Sequence, residues 1–260
     1  MTHRGLVLAS YGTTLQDARR RDIEPLAREL RAAAPGTPFC EAYLSAPVRR
    51  MLLRNGVAAP GALGDALSAL ADAGVERVCV QPTLIVAGST LDALLAEASG
   101  WEGAFPGGVA VGEPLLSSAR DLRDVARAIA GAHPALPGRA LVLVGHGATG
   151  GANEPYLALL DELRAQGRAD AFLGLIDGAH GIDEVTSGIK AAGLGAATLA
   201  PLMLAAGSHV ARQLAAGAPD SWQARLRAAG VEADLDMRGL GSLPAIRTVF
   251  LNHARVALRP

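Results

Sequence analysis

His146, Asp177 and His209 are the side chains of this 260-residue chain best suited to hold a metal ion and to let it go. His146 lies in Gly145-His146-Gly147, directly after an apolar run. Asp177 closes the run Ala-Phe-Leu-Gly-Leu-Ile, and His209 ends Pro-Leu-Met-Leu-Ala-Ala-Gly-Ser-His. Each stands just past a segment that reads as a buried strand. Two imidazoles and a carboxylate from three neighbouring strand ends form an open-sided N,N,O set for a borderline divalent cation, with coordination positions left free. An imidazole near its ordinary pKa of about 6.5 also accepts protons at neutral pH. Asp177 has three roles open to it: orienting a histidine, relaying a proton or ligating directly.

The elements that position these residues come in two copies. Leu-Ala-Ser-Tyr-Gly-Thr-Thr, ending at Thr14, matches Leu-Val-Gly-His-Gly-Ala-Thr, ending at Thr149, so Tyr11 takes the place of His146. Gly74 precedes Pro82 as Gly193 precedes Pro201, and the following runs set Thr90 opposite His209. Aligning Phe39 with Phe172 sets Leu44, give or take a residue, opposite Asp177. Gly112, Leu116 and Arg120 share the spacing of Gly239, Leu243 and Arg247. Strands are expected at 5–10, 77–82, 140–144, 171–176 and 197–204. Between them lie helical patterns, one carrying Leu122, Val125, Ala126 and Ile129. Another carries Tyr156, Leu159, Leu160 and Leu163 after Asn153 as N-cap, with Pro155 in its first turn. The expected fold is α/β, two similar Rossmann-like lobes with parallel sheets facing a central cleft. The Pro/Gly-rich segment 131–139 joins an N-terminal lobe, 1–134, to a C-terminal lobe, 135–260, that carries the metal set.

Bulk properties narrow the classes of function. Half the residues are hydrophobic and 19% are charged, as in a globular protein. The net charge of -1 gives no basic excess for nucleic acid. The apolar run after the N-terminus is too short for a signal h-region and no stretch is long enough for a membrane span. Cys40 and Cys79 supply neither a disulfide framework nor a CxxC pair, so a cytoplasmic location is expected. Gly145 to Gly150 satisfies GxGxxG, which keeps a dinucleotide-binding oxidoreductase as a competing reading. Against it, the first copy keeps only Gly12, and the following helix starts late for that fingerprint. No Walker lysine and no GxSxG elbow occur. Arg19, Arg20 and Arg21 read as a solvated helix face. Arg50 and Arg54, one helical turn apart, are placed to meet ligand carboxylates at the cleft. Tyr11, Ser89 and Gly207, at the corresponding turns of the two copies, complete the candidate substrate contacts. His180 reads as a loop histidine near Asp177, and His3, His133 and His253 as surface or terminal residues.

Several of these motifs together resemble one family. Gly-His-Gly at 145–147, the run 201–209, Asp-Ser-Trp at 220–222 with Ala-Ala-Gly at 228–230, Gly-Leu-Gly with Pro-Ala-Ile-Arg at 239–247, Pro-Leu-Leu-Ser-Ser at 114–118 and Arg50 are similar to the anaerobic-type sirohydrochlorin cobaltochelatases. The resemblance spans nearly the whole chain. It implies a lyase of cobalamin biosynthesis, a fold shared with ferrochelatases, and Co2+ insertion into a sirohydrochlorin-type tetrapyrrole lying between the lobes. Neither ATP, an organic cofactor nor a partner subunit is implied. Insertion requires removal of two pyrrole protons and delivery of a metal with exchangeable ligands, and the same histidines serve both. The matching family positions bind metal through two histidines and a glutamate. Here Asp177 replaces the glutamate, shorter by roughly 1.5 Å. A histidine common in the family after Gln81 is replaced by Leu84. N,N,O ligands discriminate weakly among divalent ions, so an Fe2+ or Ni2+ chelatase stays open beside Co2+. So does a non-catalytic metal or tetrapyrrole carrier, and so does a homo-oligomer.

Overall fold

The computed structural model describes residues 3–147, 153–215 and 217–258, with the side chain of His209 also outside the description. The chain begins β1 (Arg4–Ser10), α1 (Gln16–Ala18), a π-helical turn (Arg19–Ile23), α2 (Glu24–Ala33), β2 (Phe39–Tyr43), α3 (Ala46–Arg54), α4 (Leu63–Asp72) and β3 (Arg77–Pro82). It continues through α5 (Ser89–Ser99), β4 (Val109–Val111) and α6 (Ala119–Ala132). The second half runs β5 (Arg139–Gly145), α7 (Glu154–Ala165), β6 (Ala171–Leu175), α8 (Ile182–Ala191), β7 (Ala196–Pro201) and α9 (Ser208–Leu214). α10 (Trp222–Ala228), β8 (Glu232–Leu235), a 3-10 turn (Leu240–Ser242) and α11 (Pro244–Ala257) complete it.

Among the described residues these strands form two four-stranded parallel sheets, ordered β2-β1-β3-β4 and β6-β5-β7-β8. The two-copy reading therefore extends to topology. Central strands buried on both faces need apolar residues throughout, as Leu6–Ala9 and Ala140–Val144 provide. Leu6 and Leu8 face a core shared with Leu141 and Leu143, which α2, α6, α7 and α11 fill with Leu26, Ile129, Leu159 and Phe250. Val7 and Ala9 face α4 and α5, while Val142 and Val144 face α8, α9 and α10. One helical layer thus lies between the sheets and one on each outer face. Within the middle layer α11 crosses back to rest on β3, α2 and α6, where Cys79 Sγ donates to Ala254 O at 3.8 Å. No helix among the described residues is long and apolar enough to cross a membrane.

Backbone pairing sharpens one sequence alignment and corrects another. Ser10 pairs with Tyr43 and Gly145 with Leu175, so the residue equivalent to Asp177 is Ser45, one beyond Leu44. Phe39 and Phe172 do not correspond, because Phe39 pairs with Leu6 whereas Phe172 pairs one step further along, with Val142. At the closing helices, Leu115 N donates to Leu84 O and Leu240 N to Met203 O, so Leu116 matches Gly241, not Leu243. The expected strand 197–204 ends at Pro201, since the chain turns there to carry Leu202 and Leu204 into the core. α7 begins beside Asn153 with Pro155 in its first turn as expected, although the Asn153 side chain makes no cap.

Three expectations of solvated surface also fail. Consecutive residues cannot share one helix face, and the arginine run splits. Arg21 forms a two-pronged pair with fully buried Asp22 and donates to Met237 O at 2.7 Å, while Arg19 lies over the Tyr43 ring. Only Arg20 is mainly solvated. His253 bridges Asp121, at 3.2 Å, and Glu113 O, at 3.1 Å, within the α6–α11 contact. His133 is mostly buried 3.6 Å from Asp236. Both close contacts between segments distant in sequence, which no local pattern signals. His3 is exposed, as expected.

Candidate functional site

The candidate site lies at the carboxyl ends of β5, β6 and β7. Beyond the strands, pairing continues for two residues: Ile176 N donates to Gly145 O at 3.0 Å and Asp177 N to His146 O at 2.9 Å. This ties the two backbones together at the point where their side chains leave the sheet. Gly147 makes the approach possible. Its φ is +93°, and a Cβ there would sit 2.1 Å from the Asp177 carbonyl oxygen. Gly12 has the same part beside Tyr11, with φ +89° and the Tyr43 ring 2.5 Å from where a Cβ would be.

With the backbones pinned, His146 Nδ1 lies 3.3 Å from Asp177 Oδ2. The side chains are 52% and 70% exposed, so the pair is open to a ligand. A carboxylate at Nδ1 orients the ring and favours the tautomer protonated on that nitrogen. Beneath the site Tyr156 packs where a Gly145 Cβ would meet its ring at 3.2 Å. Burial pushes its phenol up to about 12, so it stays neutral. Gly174, three residues before Asp177, leaves room for the Trp222 ring, which a Cβ would meet at 2.2 Å. That contact gives the Asp-Ser-Trp motif a structural reason: it braces β6 from the outer face.

His209 is the second residue of α9, following the turn at Gly207; its side chain lies outside the described residues. Among the described residues no third His, Cys, Asp or Glu joins His146 and Asp177 in a metal-sized cluster. The Gly207–Ser208 turn meets the β1 loop of the other sheet. Ser208 Oγ and Thr14 Oγ1 are 3.2 Å apart, and a Gly207 Cβ would be 3.6 Å from Thr13 Oγ1. Tyr11, 56% exposed, begins that loop. The Tyr11–Thr14 loop and the His209 turn are therefore neighbours although they are far apart in sequence.

The other predicted residues are more dispersed. Arg50 and Arg54 are exposed on α3, whose N-cap Ser45 accepts from Val48 N at 3.4 Å. Ser89 opens α5 as Ser208 opens α9. Among the described residues no hydrogen bond links Ser89, Arg50 or Arg54 to Asp177. His180, at φ +67°, turns away to Glu184, its Nδ1 2.9 Å from Oε1, while its carbonyl accepts from Leu175 N. Leu84 O accepts from Leu115 N, joining two loops of the first half. Sequence reading missed Gly147 as the residue that sets the His146–Asp177 distance; its place beside a strand-end histidine was the available signal. For the competing dinucleotide fingerprint, the next helix among the described residues, α7, starts at Glu154, well beyond Gly147, and Gly150 lies outside the described residues.

Comparisons with known proteins identify the family and the fold. A family model described as cobalt chelatase (CbiK) matches residues 4–259. The chain is 31% identical to the sirohydrochlorin cobaltochelatase of Salmonella typhimurium, over 98% of this chain and 96% of that one. It is 28% identical to the sirohydrochlorin cobaltochelatase CbiKC of Nitratidesulfovibrio vulgaris, over 99% and 92% of the two chains. Among solved structures, the fold is similar to SirB from Bacillus subtilis with Fe3+, at TM-score 0.68 and 13% identity over 98% of this chain and 96% of that one.

Proposed function

The chain belongs to the cobalt chelatase family, and from that premise we propose that it inserts Co2+ into sirohydrochlorin, with His146, Asp177 and His209 at the metal. The observation that carries this reading is the His146–Asp177 pair at the strand tips, 3.3 Å apart and open to a ligand. In the proposed reaction His146, His209 and Asp177 hold Co2+, and the Asp177 carboxylate also orients the His146 ring through Nδ1. The free-base ring gives up two pyrrole protons as four ring nitrogens replace the protein ligands. His146 accepts protons as its bond to the metal loosens and passes them to water. The open positions of an N,N,O set allow this exchange without a redox step or ATP.

Tyr11, Ser89 and Gly207 line the cleft in this reading, and Arg50 and Arg54 meet acid groups on the ring. The same N,N,O chemistry accepts Fe2+ or Ni2+, so the family relationship, rather than the ligand set, supports cobalt. A cytoplasmic reaction fits two cysteines that are both free thiols.

Turnover distinguishes the enzyme from a carrier. Anaerobic absorbance spectroscopy with a twentyfold excess of sirohydrochlorin and Co2+ over protein should show many equivalents of product per protein, formed faster than in buffer. Spectral change that stops at about one equivalent would assign the chain to carriage instead.

A further inference from the structure

A cavity of about 200 Å3 opens in the first half of the chain between the β1 loop, the π-helical turn and α3. Its polar wall includes Thr13, Thr14, Gln16, Arg19, Arg20 and Glu24, with Leu52 on the apolar side. Thr13 and Thr14 are also the residues that touch the Gly207–Ser208 turn preceding His209. The cavity therefore shares Thr13 and Thr14 with the contact to the turn before His209, while drawing its charge from side chains the proposed metal site does not use.

The wall carries two guanidinium groups and one carboxylate. Arg19 Nε is buried and makes no hydrogen bond, although Glu24 Oε1 lies 3.4 Å away. A donor shielded from water with no acceptor is costly unless something completes it. Arg20 is 68% exposed, and its nearest carboxylate, on almost fully exposed Asp17, is at the 4.0 Å limit of an ion pair. One added carboxylate would balance the excess positive charge of the two guanidinium groups.

We propose that this cavity seats one carboxylate arm of the tetrapyrrole, held by Arg19 and Arg20, and so fixes the rotation of the ring over the metal. This rests on the chelatase reading above. The arginine run is then divided by role: Arg21 secures Asp22 in the contact between halves, while Arg19 and Arg20 bind substrate.

The test is anaerobic titration of metal-free sirohydrochlorin, with steady-state kinetics, on the full chain and on Arg20→Gln, Arg19→Lys and the surface control Arg127→Gln. Loss of one charge-assisted contact should raise Kd and KM about 5- to 20-fold in Arg20→Gln, with kcat within about twofold. Arg19→Lys should show a smaller rise, and Arg127→Gln none. Sirohydrochlorin with its arms esterified should bind wild type and Arg20→Gln equally. Unchanged affinity in both cavity variants, with melting temperatures intact, overturns the proposal. So does phosphate competition at the cavity combined with an ester that binds as tightly as the acid, since the cavity would then serve a free anion. If wild type neither binds nor metallates sirohydrochlorin, the chelatase reading itself fails. If wild type metallates it and only the arginine variants are silent, the cavity assignment alone fails.

Discussion

Replacing Gly147 by alanine should disable the site while leaving the fold in place. The new Cβ would lie 2.1 Å from the Asp177 carbonyl oxygen, against the 3.0 Å below which real Cβ contacts are essentially never found. The backbone must therefore open by about 0.9 Å between His146 and Asp177. A reacting group displaced by about 1 Å can lose roughly 100-fold in rate, so kcat for Co2+ insertion should fall about that far. Stability bears two costs: about 1–2 kcal/mol for an L-residue at φ +93°, and about 1–3 kcal/mol for the overlap. At about 2–4 °C per kcal/mol for a chain of this size, a total near 3 kcal/mol lowers Tm by roughly 6–12 °C. Gly36→Ala is the internal control, because Gly36 has φ +76° but nothing within 4 Å of a Cβ. It should incur only the conformational cost and keep full activity. The assay is absorbance-monitored metallation beside thermal melting of both variants. If Gly147→Ala keeps kcat within twofold and melts with Gly36→Ala, the close approach that positions Asp177 is wrong.

Asp177→Ala should lower Co2+ affinity or insertion rate about 10- to 100-fold, as loss of a partner that orients a metal-binding histidine does. Its melting should barely change, because a pair this exposed adds little stability; isothermal titration with Co2+ and a melting curve read the two separately. Asp22→Ala should cost about 3 kcal/mol in urea unfolding, because it leaves Arg21 without its buried carboxylate and opens space beside Gly239. Burial holds His133 below its ordinary 6.5 despite the opposing pull of Asp236. The unfolded chain then binds more protons just below that value, so this contribution is fully present above pH 6.5 and is lost as pH falls toward the folded pKa. His133→Gln should flatten the change in urea midpoint between about pH 7 and about pH 5.5, and an unchanged slope would count against burial of that ring.

The central strands were legible because their chemistry is redundant: Leu6–Ala9 and Ala140–Val144 are apolar at every step, as burial on both faces requires. Edge strands carry less signal. β4 is three residues long and β8 alternates Glu-Ala-Asp-Leu with its outward face in solvent, so neither stands out from loop sequence. Self-similarity identified Tyr11 with His146 and Thr90 with His209, and the two sheets repeat one strand order. It came within its one-residue margin at Leu44 and misplaced the closing helix by two, because sequence matching carries no information on which residues pair across a sheet. For Asp177 the difference matters: its counterpart Ser45 is a helix cap, so a carboxylate stands where the first copy has a short polar side chain. Long-range partners were the least visible. Neither the seating of Asp22 against Gly239 and Gly241 nor the capture of His253 by Asp121 leaves a mark in local composition.

The central claim is that His146 and His209 hold the metal that is inserted. The most direct measurement compares initial rates of Co2+ insertion into sirohydrochlorin for wild type, His146→Ala and His209→Ala, each first shown by titration to bind the metal-free ring as wild type does. Both variants should fall to the rate in buffer while still binding the ring. A variant that binds the ring and metallates it at the wild-type rate would contradict the account, whichever histidine it lacks.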